Sequence, residues 1–494
     1  MTAATIGIIV FLIMMVLIFL GVPIFVSLLG SAFVGFLWVA GGNPAMMLSK
    51  FTATPFDLAA NYNYAVFPMF MLVGALAGET GIAGGAFKAM HSWLGRIRGG
   101  LLFTVIAANA VFGACSGSSV AGNVVFGKLA MPELEAAGYS RKYSLGCITA
   151  SGALSTLIPP SMAIIMYCMI SPITMNVGTA LMCGIGPGLM TAVALAITVL
   201  LIGVFSKGSI PPGGGPKVPM VEKLKSLLLL IPILCLFGII IGGTFAGWFT
   251  ATVGGAIGAV AVTVYALAKK ISLKRIAWNM WDAACMEAGI FPIIIGGQLF
   301  GSFVAATQLA DTLARSIANV NAPPFLIFCL VLLLYIFCGC CMDVVSIIII
   351  TVPVVFPILT AVGYSPYVLV ITLCFVCEIA GLTPPIGMNV FATSNALRIK
   401  PAEIFAGVVP YFVCEVAVVL LMALFPQICL GIPMRLGAAG LGVDQATSAL
   451  FRVSRQLNAL MWLGRLPKII GILLVVALII FIIKRTNKKR DENE

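Results

Sequence analysis

Apolar runs as long as a bilayer is thick recur along this chain, with short polar or basic breaks between them. A membrane-spanning helix needs roughly 20 apolar residues. Runs at 5–22, 24–41 and 61–85 read as spans, and "KAMHSWLGRIRGG" (88–100) as a basic amphipathic arm lying at the surface. The run 101–131 is interrupted at "CSGSS" (115–119), where clustered Ser and Gly predict a hairpin that enters the membrane and turns back. A span over 143–170 is broken at Pro159–Pro160, and 177–205 follows. The Gly/Pro-rich stretch 206–225 has no periodicity and reads as a linker.

Beyond the linker the order returns. Spans at 226–243 and 247–268 precede a second basic arm, "KKISLKRIAW" (269–278), and a span at 285–310. A second hairpin, 323–358, is interrupted at "CGCCMDVVS" (338–346); a span at 366–395 is broken at Pro384–Pro385, and 403–425 closes the unit. The register is constant: Pro132, Gly138, Tyr139, Ser140, Pro159 and Pro160 recur as Pro357, Gly363, Tyr364, Ser365, Pro384 and Pro385, each 225 residues on. This is an internal duplication. It predicts a first repeat over 1–205 (hairpin 101–131, broken helix 143–170) and a second over 226–430 (hairpin 323–358, broken helix 366–395), with an extension over 431–494.

Composition agrees with an all-α polytopic membrane protein: 61% of the residues are hydrophobic and 9% charged. The net charge of +12 invites a nucleic-acid reading, but no basic stretch is interleaved with exposed aromatics. The cations lie in short loops, where they set orientation. Placing the loops that carry Lys88, Arg96, Arg141, Lys223, Lys269 and Arg398 in the cytoplasm puts the N-terminus in the periplasm. The opening "MTAATIGIIVFLIMM" lacks a basic n-region and reads as a first span. Each repeat then crosses five times, an odd number, so the repeats are inverted relative to one another. Of the 14 cysteines most lie inside apolar runs and act as small hydrophobes.

A Pro-Pro break removes backbone hydrogen bonds, and in hydrocarbon each unsatisfied group costs several kcal/mol. The freed carbonyls suit a hard cation such as sodium, and the half-helix beyond presents N–H groups to a carboxylate. Broken helices at matching positions of inverted halves mark the site of a secondary transporter. One sodium is placed among Ser116, Gly117, Ser118, Ser119, Ser155, Ile158 and Pro159, and a second among Gly339, Cys341, Asp343, Ala380, Thr383 and Pro384. Substrate is placed between the tips, near Asn123, Pro160, Ser161, Pro385, Gly387 and Asn389. Glu378 and Glu415 also fall in apolar runs and read as facing protein interfaces.

At these residues the chain resembles the large membrane subunit of a TRAP (tripartite ATP-independent periplasmic) transporter, of the DctM-like family in the ion transporter superfamily. The likeness rests on "GVPIFVSLLG" (21–30), "FPMFMLVGALAGETGIA" (67–83), "SGSSVAGN" (116–123), "MPELEAAGYS" (131–140), "TLIPPSM" (156–162) and "GLTPPIGMNVF" (381–391), across residues 1 to 430. The resemblance implies a sodium-driven elevator in the bacterial inner membrane, in which a body of hairpins and broken helices slides against a scaffold. It also implies a small four-helix membrane subunit, a periplasmic substrate-binding protein, and a small carboxylate or sulfonate as cargo. Residues 434–494 depart from the family: an amphipathic piece (444–466) precedes an extra apolar run (468–484) and a basic tail that reads as cytoplasmic.

Other classes fit less well. A stand-alone ion-coupled carboxylate carrier would use the same fold without a binding protein. "GACSG" (113–117) loosely resembles a serine-protease motif, but its Ser needs a base within reach, and the chain's one His is His91 in the first arm. A primary pump would need a phosphate-binding loop, and the sequence has no Gly-x-x-x-x-Gly-Lys-Ser/Thr. A channel would have less use for duplicated hairpins.

Overall fold

The computed structural model describes residues 2–435 apart from 42, 207, 212–217, 320–322 and 341. The predicted amphipathic piece and extra span of the extension lie outside the described residues. Among those described, every regular element is helical. Six helices are long and apolar enough to cross a membrane, eight if each of two bent pairs is one span; five further apolar helices are shorter. The bent pairs are Tyr62–Glu79 with Ile82–Leu94, at 61°, and Arg141–Leu157 with Met162–Ile170, at 48°.

The duplication is visible in the helix boundaries. The first hairpin pairs Gly100–Ser116 with Ser119–Ala136, and the second pairs Pro324–Gly339 with Val344–Ala361. The two return arms begin and end 225 residues apart. The broken helices start 225 apart as well, at Arg141 and Pro366, and resume at Met162 and Met388. Packing between the units is reciprocal. Val66–Glu79 lies on Ala251–Ala268, while Leu273–Ala306 lies on Ile24–Val39; each return arm packs on the resumed half of the other unit's broken helix.

Three local readings change. The second arm (269–278) and the span at 285–310 are one 34-residue helix, Leu273–Ala306. At about 1.5 Å per residue it is longer than a bilayer core of about 30 Å. Its exposed first turns carry Lys274, Arg275, Trp278 and Trp281, the residue types that settle at a membrane interface. The run 61–85 breaks at Thr80–Gly81, and the helix Ile82–Leu94 buries Ile82, Ala83, Ala86 and Phe87 rather than lying free. A helix over Pro44–Ala60 fills the interval between the second and third predicted spans, where Lys50, Pro55 and Asp57 had interrupted the apolar pattern.

Large apolar side chains face outward in stripes, such as Leu12, Val16 and Leu20, or Val193, Ile197, Leu200 and Val204. Lipid tails are as apolar as these side chains, so little drives the helices together except close packing. Small residues supply it. A Cβ on Gly146 would stand 2.2 Å from the carbonyl oxygen of Gly407, and one on Gly407 1.9 Å from that of Lys142. Gly407→Val is therefore expected to lower the thermal unfolding midpoint of purified protein, by an overpacking cost of about 1–3 kcal/mol. Gly30→Val, where nothing lies within 4 Å, should leave it nearly unchanged.

Candidate functional site at the hairpin tips and helix breaks

The first hairpin turns at Gly117, whose φ of 58° is one that side chains disfavour. Ser118 then caps the return arm by accepting from the Ala121 N–H at 3.3 Å. Asp343 does the same in the second unit, accepting from the Ser346 N–H at 3.2 Å and from the Ser346 hydroxyl. These matching residues are thus helix caps before they are anything else.

Each tip sits on its own unit's break. Both Pro-Pro bonds are cis. In the second unit the N–H groups of Ile386 and Gly387 donate to the carbonyl of Cys340, at 3.2 and 3.3 Å. In the first, the Pro160 carbonyl oxygen lies 2.6 Å from where a Cβ on Gly117 would stand, so the turn residue has room for hydrogen alone.

A buried chain of hydrogen bonds ties the two sites together. The Ser119 hydroxyl donates to Asn389 Oδ1 (3.2 Å), and Asn389 Nδ2 donates to Glu378 Oε2 (2.9 Å) and to the Glu378 carbonyl (3.3 Å). Thr156 Oγ1 donates to Glu378 Oε1 at 2.7 Å. The first tip, both sides of the second break and the approach to the first are joined through one carboxylate. Glu378, three residues before "GLTPP", was legible as an ionisable residue at membrane depth; its place at the centre of this chain was not.

Between the first tip and the first break, oxygens stand without partners. Among the described residues, Ser116 Oγ, Ser155 Oγ and Asn109 Oδ1 are buried and unpaired. Asn109 Oδ1 and Ser155 Oγ lie 2.5 and 3.5 Å from the point where a Cβ on Gly122 would stand. Asn109 is held by its Nδ2, which donates to Ser151 Oγ at 2.8 Å. It is a residue sequence reasoning missed, since a lone Asn inside a hairpin arm carries no motif. Clustered hydroxyl and amide oxygens without donors match a hard cation. Ser119 and Ser118 are already engaged; the Ile158 N–H donates to the Leu154 carbonyl at 2.9 Å, and Pro159 is buried.

The second proposed set is more committed. The Ala380 carbonyl accepts from Thr383 Oγ1 (2.7 Å) and from the Thr383 N–H (3.0 Å). A Cβ on Gly339 would stand 2.2 Å from that of Ala380. Pro384 is exposed, and Cys341 lies outside the described residues. The half-buried Asp343 carboxylate is the main oxygen source there.

The residues placed near substrate divide. Asn389 is in the central chain. Asn123, with its amide nitrogen turned toward acceptors, donates to the carbonyls of Ile148 (3.0 Å) and Thr149 (3.2 Å) and is fully buried, a clasp between hairpin and broken helix. Ser161 caps the helix Met162–Ile170 by accepting from Ile164 N (3.3 Å), and Gly387, at φ 64°, begins Met388–Leu397. Pro160 is buried whereas Pro385 is exposed. His91 is exposed and stacks on Phe87.

A family model described as "Tripartite ATP-independent periplasmic transporter, DctM component" matches residues 11–428. The chain is similar to the C4-dicarboxylate TRAP transporter large permease protein DctM of Pseudomonas aeruginosa, 27% identical over 77% of this chain and 88% of that protein. It is also similar to the ectoine/5-hydroxyectoine TRAP transporter large permease protein UehC of Ruegeria pomeroyi, 27% identical over 85% of this chain and 97% of that protein. Among solved structures the YdaH transporter of Alcanivorax borkumensis has a like fold, with a TM-score of 0.53 at 16% identity over 81% of this chain and 90% of that one.

Removing the central carboxylate strands its buried partners. Glu378→Ala should destabilise the purified protein by several kcal/mol, since breaking a buried charged network commonly costs about 3–5 kcal/mol. Glu378→Gln, which keeps an oxygen for Thr156, should cost less. A thermal denaturation series in detergent checks the order.

Proposed function

The chain belongs to the DctM family of tripartite ATP-independent periplasmic transporters, and from that premise we propose that it is the large membrane subunit of a sodium-coupled importer for a small organic acid. It is a multi-pass membrane protein and a transporter subunit. The observation that carries the sodium reading is the pair of unpaired oxygens, Ser155 Oγ and Asn109 Oδ1, that face Gly122 in the first hairpin, with a further unpaired oxygen, Ser116 Oγ, at the hairpin tip. A bound sodium ion would supply the positive charge that these oxygens lack. The Asp343 carboxylate would hold a second ion at the other tip.

Anionic cargo follows from the same electrostatics. Two bound cations would offset the charges of Glu378 and Asp343, and a carboxylate or sulfonate would then be accepted without a fixed Arg or Lys. The N–H groups of Met388 and Val390, where Met388–Leu397 begins, are the donors nearest to hand, the Asn389 amide being committed to Glu378. Relatives named for C4-dicarboxylates and ectoine carry cargo with carboxylates.

Alternating access is supported by the place where the reciprocal packing fails. On the second return arm Ser346 through Val352 are buried without a gap, whereas Val120, Ala121, Val124, Val125 and Lys128 on the first line an open face. Pro384 and Pro385 are exposed while Pro159 and Pro160 are buried. With the repeats inverted and the N-terminus periplasmic, this leaves the cytoplasmic side open, and sliding of the hairpin body against the scaffold would exchange the two arrangements. The family's small membrane subunit and periplasmic binding protein complete the assembly, which belongs in the inner membrane.

Ser116→Ala, Ser155→Ala and Asp343→Ala should each raise the sodium concentration for half-maximal uptake at least about tenfold, the loss of one ligand of about 1.4 kcal/mol. Uptake is read in proteoliposomes with the small subunit and binding protein supplied. Unaltered sodium dependence in all three would overturn the cation sites, and full uptake without the binding protein would overturn the tripartite reading.

A further inference from the structure

A cavity of about 830 Å³ opens between two walls of the fold. One wall is the turn Tyr62–Ala65 with residues 244 and 247–252; the other is the helix Met162–Ile170 with the loop that follows it. Where the walls meet, a Cβ on Gly178 would stand 3.4 Å from the Thr244 methyl. None of the lining residues is charged.

Two of its polar side chains share one arrangement. Asn61 Oδ1 accepts from the Asn63 N–H at 3.0 Å, and Asn176 Oδ1 accepts from the Thr179 N–H at 3.0 Å. Each amide, on an exposed residue lining the cavity, is thereby oriented with its oxygen committed to backbone, which leaves its NH2 as the free end. Among the described residues neither Nδ2 has a partner. The hydroxyl of Ser171, on the same wall as Asn176, is buried and unpaired as well. Around these donors stand Tyr64, Trp248, Phe249, Met169 and Met175, an apolar surface for a carbon skeleton.

We propose that this cavity is a second binding site, in which a small organic anion is held by the Asn61 and Asn176 amides before or after it occupies the midplane site; the ligand class rests on the transport reading above. Donors whose acceptor ends are occupied favour ionised oxygens, and hydrogen bonds to an ionised acceptor are about twice as strong as neutral ones. The lack of any cation keeps the hold weak, as suits a way station. A neutral sugar, which needs acceptors as well as donors, is a poorer match.

The test is protection from chemical labelling in the purified full chain, where no transport is needed. Thr174, exposed on the rim, is changed to Cys, and its reaction with a methanethiosulfonate reagent is followed as the increment over the parent protein. Succinate and isethionate are expected to slow the reaction, and choline is not. Asn61→Ser and Asn176→Ser keep a capping oxygen but delete the NH2 donor. Each should raise the half-protecting anion concentration, and the pair by about tenfold or more, the worth of one charge-assisted bond, with the labelling rate in the absence of anion unchanged. Protection by neither anion, equal protection by choline, or protection unaffected by both substitutions overturns the proposal. Intact protection alongside uptake that ignores sodium would strike the sodium coupling alone.

Discussion

Hydrocarbon offers no partner to a free peptide group, and this fold is arranged around places where the peptide ladder has been cut. At Pro159–Pro160 and Pro384–Pro385 the chain gives up helical hydrogen bonds at depth. Each cut is then met by the tip of a hairpin from the same unit. In the second unit the meeting is a pair of N–H groups on the Cys340 carbonyl. In the first it is a bare contact of the Pro160 carbonyl with Gly117, and the same hairpin and broken helix carry the unpaired oxygens of Ser116, Ser155 and Asn109. The same geometric device is thus closed by backbone hydrogen bonds in one copy and by close contact in the other.

Glu378 shows how such a body stays rigid. A carboxylate buried away from water is costly unless its oxygens are met by donors. Both are met, one from Thr156 in the first unit and one from Asn389, which in turn accepts from Ser119 at the first tip. Three segments far apart in sequence are therefore held in one register by a group too costly to leave unpaired. Any displacement of a tip relative to the opposite break would have to open that chain, so the hairpins and broken helices are expected to move together.

How much of this was legible beforehand follows from which forces act locally. The hairpins, the breaks and the 225-residue register were readable because Pro, Gly and Ser act within a few residues of where they stand. The capping roles of Ser118 and Asp343 were within reach for the same reason, and were passed over in favour of ion binding. The fusion of the second arm and its following span into Leu273–Ala306 was also within reach, though the charges were read as an end. A helix end needs a breaker, and "KKISLKRIAWNMWDAACMEAG" contains charge but no Pro and, until its final residue, no Gly. Asn109 and Glu378 are long-range by nature: their partners lie 42 and 222 residues away, and no spacing announces them.

The asymmetry between the copies carries the last step. Were the repeats perfect, the open face along Val120, Val124 and Lys128 would have an equal on the second return arm; instead Ser346 to Val352 is covered throughout. One sequence difference tracks this. The first arm reads "SVAGNVVFGK" and the second "VVSIIIITVP", small and polar against bulky and β-branched. Bulky side chains form a dry contact against Leu273–Ala306, where a Cβ on Gly297 would stand 1.9 Å from an Ile349 methyl carbon. Small ones leave Val120 and Lys128 exposed and Val124 and Val125 half-buried. The two faces have diverged in chemistry as well as in exposure, so the two halves of a transport cycle need not be mirror images. A smooth groove on one side and a close-packed seam on the other would give entry and release different barriers within a single duplicated frame.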